Sequence, residues 1–268
     1  MFGVICGDTL GVPYEFAATK DKNFKFYPTE RHRRSTTFSD DTVLTIAVAD
    51  HLMNGTDLVD NIHKYVRQEP DRDYGCRFKE WVERGSRTPY NSFGNGSAMR
   101  VSPVAWYYDT KADVLAGAEK VAAVTHNHPE GIKGAQAVAL AIFMARKGSS
   151  KVEIKNEIET SFGYNLSRDY EEVKDNCRFN ETCQVSVPEA IIAFLASTDY
   201  EDAVRNAIAM GGDADTQACI AGGIAEAFYK TVPQCHIDFA MLDLPENLRR
   251  IAVEFDKKYV RAKKNAAK

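Results

Sequence analysis

The sequence has six cysteines in 268 residues, and none stands in a CxxC pair. Cys6, Cys76, Cys177, Cys183, Cys219 and Cys235 are scattered, several among apolar helical residues, which argues against zinc and suits reduced thiols in a cytoplasmic protein. No apolar stretch reaches the roughly 18 residues that a membrane-spanning helix needs, so no membrane partner is expected. The first residues lack the basic flank and cleavage site of a signal peptide, which adds to the cytoplasmic expectation. Neither sign of charge dominates: 34 Lys and Arg against 38 Asp and Glu leave a net charge of −4, which gives nucleic acid no support as a partner. No Pro/Gly/Ser-rich linker divides the chain, so residues 1–268 read as one domain, with about 262–268 as a frayed basic tail. Alternating runs of β-branched residues are scarce, which argues against a sheet.

What is present is helical periodicity. Apolar residues recur at helical spacing from Thr42 to Met53, Val114 to Val124, Gly131 to Ala145, Glu189 to Leu195 and Ala218 to Tyr229. Short breakers such as NGTD, THNHPEG and KGSS separate these runs and supply capping residues. The expectation is an all-α, compact bundle of many helices. Two stretches resist it, Phe16 to Phe38 and Gly85 to Gly96, and read as long loops of the kind that carry function. The basic run Glu30-Arg31-His32-Arg33-Arg34 lies in the first of them and reads as a solvated basic loop. Trp106, Tyr107 and Tyr108 read as core and surface positions of a helix.

One device occurs twice. FSDDT (38–42) opens the apolar run VLTIAVAD, and GGDADT (211–216) opens QACIAGGIAEAF. One aspartate at a helix entrance is an ordinary N-cap. Two adjacent carboxylates exceed what a cap needs, and they raise one another's pKa unless a cation compensates. Ser39, Asp40, Asp41, Asp213, Asp215 and Thr216 together make a hard-oxygen set suited to Mg²⁺ or Mn²⁺. This reading requires two segments some 170 residues apart to meet.

Four motifs in this order, GDTLGVPYE (7–15), FSDDT, SFGNGSAMR (92–100) with THNHPEG (125–131), and GGDADT, resemble the ADP-ribosylglycohydrolase family across nearly the whole chain. The resemblance implies an orthogonal all-helical bundle whose cleft, built at helix N-termini, holds two divalent cations, Mg²⁺ or Mn²⁺. It implies metal binding by Ser39, Asp40, Asp41, Asp213, Asp215 and Thr216, with Asp40, Asp41 and Asp213 also serving catalysis. Glu15 matches the glutamate near the scissile bond and is assigned proton transfer. Gly94, Asn95, Gly96, Ser97 and Met99 match the segment against the diphosphate and distal ribose, the glycines exposing backbone N–H groups. His126 matches a histidine near the ligand. Asp8 reads as a structural hydrogen-bonding group. The implied activity is release of ADP-ribose from an ADP-ribosylated protein side chain, arginine being the first acceptor to consider. The competing readings are a non-catalytic ADP-ribose-binding or structural protein, and a hydrolase of ADP-ribosylated small molecules or nucleic acid.

Overall fold

The computed structural model describes residues 1–27 and 37–266. The basic run 30–34 lies outside the described residues. Helices follow one another along the chain: α1 (Phe2–Gly11), α2 (Asp40–Asn54), α3 (Leu58–Gln68), α4 (Cys76–Glu83), α5 (Gly96–Met99), α6 (Ser102–Tyr107), α7 (Lys111–Ala123) and α8 (Pro129–Lys147). They continue with α9 (Lys151–Phe162), α10 (Tyr170–Asn176), α11 (Cys183–Leu195), α12 (Tyr200–Ala209), α13 (Ala214–Tyr229), α14 (Gln234–Leu242), α15 (Glu246–Phe255) and α16 (Ala262–Ala266). The only bridge between extended segments among the described residues joins Gly94 to Thr182. The all-α expectation holds.

α13 is the axis of the bundle. Every residue from Ala214 to Ala227 is buried, as expected of a helix packed on all sides. α1, α8, α11 and α12 surround it. The closest neighbour is α1, which presents Gly3, Gly7 and Gly11 at four-residue intervals, one stripe of a helix. A methyl group on Gly7 would lie 2.2 Å from the Ala218 carbonyl oxygen, and one on Gly11 would lie 2.5 Å from Asp215 Cα. One on Gly222 would lie 2.4 Å from the Gly3 carbonyl oxygen. Gly3 faces Gly222 while Gly11 faces Asp215, so the helices run antiparallel and the end of α1 meets the beginning of α13.

The loop after α1 is held by cations. Lys20 Nζ donates to the carbonyls of Lys174, Cys177 and Met210, and Arg205 Nη1 donates to those of Lys22 and Phe24, both at 2.9 Å. Gly211, at φ +67°, packs under Ala18 and Thr19. The segment carrying Glu15 is thereby fastened to the turn that precedes Asp213. Loop structure at 85–95 and the buried Trp106 follow expectation. Residues 262–266 are helical, with Lys263 Nζ reaching Asp109 Oδ1 at 2.7 Å and Lys264 Nζ reaching Glu226 Oε1 at 3.0 Å.

Glycine to alanine inside a helix normally gains propensity, but at Gly7 the clash is with backbone that has nowhere to move. Gly7→Ala is expected to cost about 1–3 kcal/mol in urea unfolding. Gly75→Ala, where an added methyl meets nothing within 4 Å and the change is confined to the N-cap of α4, should cost less than Gly7→Ala, about 1 kcal/mol or under.

Candidate active site at two helix N-termini

The first question at α2 is which groups cap it. Ser39 is the N-cap, and its Oγ accepts from the Asp41 N–H at 3.2 Å. Asp8, projecting from α1, accepts from the Ser39 N–H at 3.1 Å, the Ser39 Oγ at 2.7 Å, the Thr42 N–H at 3.2 Å and the Thr42 hydroxyl. The capping is thus done by Ser39 and Asp8, and the carboxylates of Asp40 and Asp41 are left for other work. Asp41 Oδ2 accepts weakly from Ser39 Oγ at 3.3 Å and from Thr216 Oγ1 at 3.2 Å. Asp41 Oδ1 is buried and meets no hydrogen-bond donor at bonding geometry among the described residues, the Cys219 thiol being the neighbour that favours its charge.

The second cluster behaves in the same way. Asp213 is the N-cap of α13 but makes no side-chain capping bond. It accepts instead from Asn95 Nδ2 at 2.6 Å, and Asn95 also donates to Ser186 Oγ at 3.1 Å. Asp215 Oδ1 accepts from the Thr216 N–H at 2.9 Å. The Thr216–Asp41 contact joins residues 175 positions apart, so the two acidic motifs meet. Carboxylate oxygens of Asp8, Asp41 and Asp215 lie within 4.8 Å of one another, as do those of Glu15, Asp213 and Asp215. Asp40 stands beside them on the cavity wall.

Burial raises the pKa of Asp41, and the neighbouring Asp8 and Asp213 raise it further. Burial likewise raises Asp40, with Asp41 the largest charge against it. Asp215 is raised by burial and then by Asp213, Asp41 and Glu15. So many acids in one place cannot all ionise without a compensating positive charge. The orphaned Asp41 oxygen and a donor set made only of carboxylates and hydroxyls fit a hard divalent cation. Asp8 fits less well as a ligand, since protein donors already occupy both of its oxygens.

Glu15, Asp40, Asp41, Asp213 and Asp215 line a cavity of about 250 Å³. The glycine loop, Tyr90, Arg77, Arg100 and His126 line it too. The loop is pinned to the segment before α11: the Asn95 N–H donates to the Glu181 carbonyl at 2.7 Å and the Cys183 N–H to the Phe93 carbonyl at 3.0 Å. Gly94, Asn95, Gly96, Met99 and His126 line the cavity as expected.

Other named residues lie off the cavity wall or spend their polar groups within the protein. Ser97 does not line the cavity, because its Oγ donates to the Gly131 carbonyl at 2.7 Å beneath the loop. Ser39 is also off the wall, its hydroxyl being committed to Asp8. The Gly94 N–H goes to Ser92 Oγ at 3.2 Å and the Asn95 N–H to Glu181, so these two amides are not offered to an anion. His128 is a helix cap whose Nδ1 accepts from the Glu130 N–H at 3.1 Å. Arg77, Tyr90, Arg100 and Glu181 line the cavity without having been singled out. Arg100 lay inside a quoted motif, yet nothing in the sequence marks a buried arginine.

The profile of the family described as ADP-ribosylglycohydrolase matches residues 1–254. The ADP-ribosylhydrolase ARH3 of Homo sapiens is 26% identical, over 85% of this chain and 83% of that protein. The ADP-ribosyl-[dinitrogen reductase] glycohydrolase of Rhodospirillum rubrum is 24% identical, again over 85% and 83%. Among solved structures, an ADP-ribosylglycohydrolase-related protein complex matches in fold with a TM-score of 0.74 at 22% identity, covering 95% of this chain and 94% of that one. With the family profile spanning nearly all of the sequence and the acids of its two ends in contact, the chain belongs to the ADP-ribosylglycohydrolase family, hydrolases of glycosyl bonds.

Proposed function

We propose that this protein is a divalent-cation-dependent hydrolase that releases ADP-ribose from a modified protein side chain, arginine being the first acceptor to test. The observation that carries the reading is the cluster of buried carboxylates around Asp41, whose Oδ1 meets no donor at bonding geometry among the described residues. In this reading Asp40, Asp41, Asp213, Asp215 and Thr216 hold two ions, Mg²⁺ or Mn²⁺. The ions, when bound, orient ribose hydroxyls and lower the pKa of a water.

The chain's own residues do the rest. Asn95 fixes the Asp213 carboxylate through its 2.6 Å hydrogen bond, and Ser39 with Asp8 keeps the α2 amides occupied so that Asp40 and Asp41 stay available. Glu15 carries the transferred proton at a carboxyl oxygen: the bond from the anomeric carbon to the acceptor breaks, water supplies OH to that carbon, and a proton passes to the leaving acceptor. Arg77, Arg100 and His126 face the diphosphate. Protein-linked substrates are supported by the printed name of the Rhodospirillum relative. The six free cysteines support a reducing, cytoplasmic setting. No helix among the described residues is long and apolar enough to cross a membrane.

The test is release of free ADP-ribose from arginine-, serine- and nucleic-acid-linked substrates, with Mg²⁺ or Mn²⁺ and with chelator. Release that chelator abolishes is expected, and binding of ADP-ribose without release from any substrate would establish the non-catalytic alternative. Glu15→Gln should lower kcat by about 100-fold or more with the fold intact; full turnover would remove Glu15 from the proton path.

Stability should report the same site. The raised pKa values mean that the folded, cation-free protein binds more protons than the unfolded chain, whose aspartates titrate near 3.8. Its stability should therefore fall as pH rises from about 4 through the raised values. The gain in Tm on adding Mg²⁺ should grow with pH over that range, because bound cation replaces protons. Asp41→Asn should raise the cation-free Tm, shrink the Mg²⁺ gain and abolish release. A Mg²⁺ gain that is independent of pH would argue against the acidic site.

A further inference from the structure

His126 lines the same cavity as the acids and is only 5% exposed. Its Nδ1 lies 2.7 Å from the hydroxyl oxygen of Thr125, a fully buried residue. The same hydroxyl oxygen receives an N–H from Arg100 Nη2 at 2.8 Å. A guanidinium can only donate, and a hydroxyl has one proton to give. The nearby Val121 carbonyl already accepts from Arg100 Nη2 at 2.9 Å. Thr125 Oγ1 has no other hydrogen-bond partner among the described residues, so its proton goes to His126 Nδ1.

We propose that Arg100 and Thr125 are positioning residues that lock His126 in the tautomer carrying its proton on Nε2, so that the imidazole presents a donor, and never a lone pair, to an anionic oxygen in the cavity. This rests on the reading that the cavity receives the diphosphate of ADP-ribose. Nδ1 must be the acceptor in the Thr125 bond, which leaves the proton of a neutral ring on Nε2. The ring is held neutral by burial and by the Arg100 and Arg77 cations, which push its pKa well below the usual histidine range. Nε2 faces the glycine loop: a methyl group on Gly96 would come within 3.2 Å of it and one on Gly94 within 3.6 Å. Glycine at both positions keeps the approach to Nε2 open. Arg100 is itself fully buried, so the polarity of the chain from guanidinium to hydroxyl to imidazole cannot be reversed by solvent.

A phosphate oxygen is only an acceptor. The opposite tautomer would set lone pair against lone pair and lose the bond. Two experiments on the full chain decide the matter. Long-range ¹H–¹⁵N NMR of histidine-labelled protein, with His126 assigned by its loss in His126→Gln, should show Nε2 protonated and Nδ1 bare in the wild type. Thr125→Val should populate the Nδ1-protonated tautomer and weaken binding of ADP-ribose about tenfold, the equivalent of one lost hydrogen bond. Thr125→Ser should restore both the tautomer and the affinity. A wild-type His126 protonated on Nδ1 would overturn the proposal, as would a folded Thr125→Val that keeps the Nε2 tautomer and the affinity. The wild-type spectrum decides even if Thr125→Val does not fold. Failure of the wild type to bind ADP-ribose would instead sink the proposed function, leaving the tautomer to be read from the spectrum.

Discussion

The site depends on a seam that has almost no side chains. Gly3, Gly7 and Gly11 of α1 lie against Gly222, Ala218 and Asp215 of α13 at distances where a methyl group would overlap backbone. Two helices that approach this closely have little freedom to slide or rotate, because the contact surface is backbone and not deformable side chains. The antiparallel register then puts the C-terminal end of α1 at the N-terminal end of α13. Asp8 and Glu15 travel with α1, Asp213 and Asp215 with α13, and α2 is fastened to Asp8 by its own capping bonds. Moving the seam would move every acid in the cavity.

Holding those acids together is electrostatically unfavourable in the absence of a cation, and the protein separates two jobs to do it. Helix amides at the start of α2 are satisfied by Ser39 and Asp8. The acids that follow in sequence, Asp40 and Asp41, are thereby released from capping. At α13 the corresponding acid is steadied from the side by Asn95, which ties the glycine loop to the acidic cluster in one bond. The same cavity is also lined by Arg77, Arg100 and His126, so carboxylates and cationic or donor side chains share one space.

Legibility in the sequence followed the range of the interaction. The acid pairs at Asp40-Asp41 and Asp213–Asp215 were readable because an excess of carboxylates at a helix start is a local anomaly. Met99 and His126 reach the cavity wall from motif positions. The protons of the Ser39 and Ser97 hydroxyls go to Asp8 and Gly131, 31 and 34 residues away, and local pattern does not show those partners. The partners of Arg100 are also non-local: Val121 in the last turn of α7 and Thr125 just after it, 21 and 25 residues on. The anchors of Lys263 and Lys264, Asp109 and Glu226, are likewise distant in the chain.

Periodicity and breakers determined the helices, and composition determined that they would pack as an all-α domain, since both depend on residues within a few turns of one another. The four-residue spacing of Gly3, Gly7 and Gly11 was also written in the sequence, but its partner was not, because a stripe without side chains fits any equally bare surface. Tertiary structure decided which helix filled that stripe, which acids faced one another, which hydroxyls were already spent and which nitrogen of His126 the protein addresses. These are decisions about hydrogen-bond partners and like charges between segments that are not neighbours in sequence, up to 175 residues apart for Asp41 and Thr216, where geometry sets the outcome and local pattern carries little information.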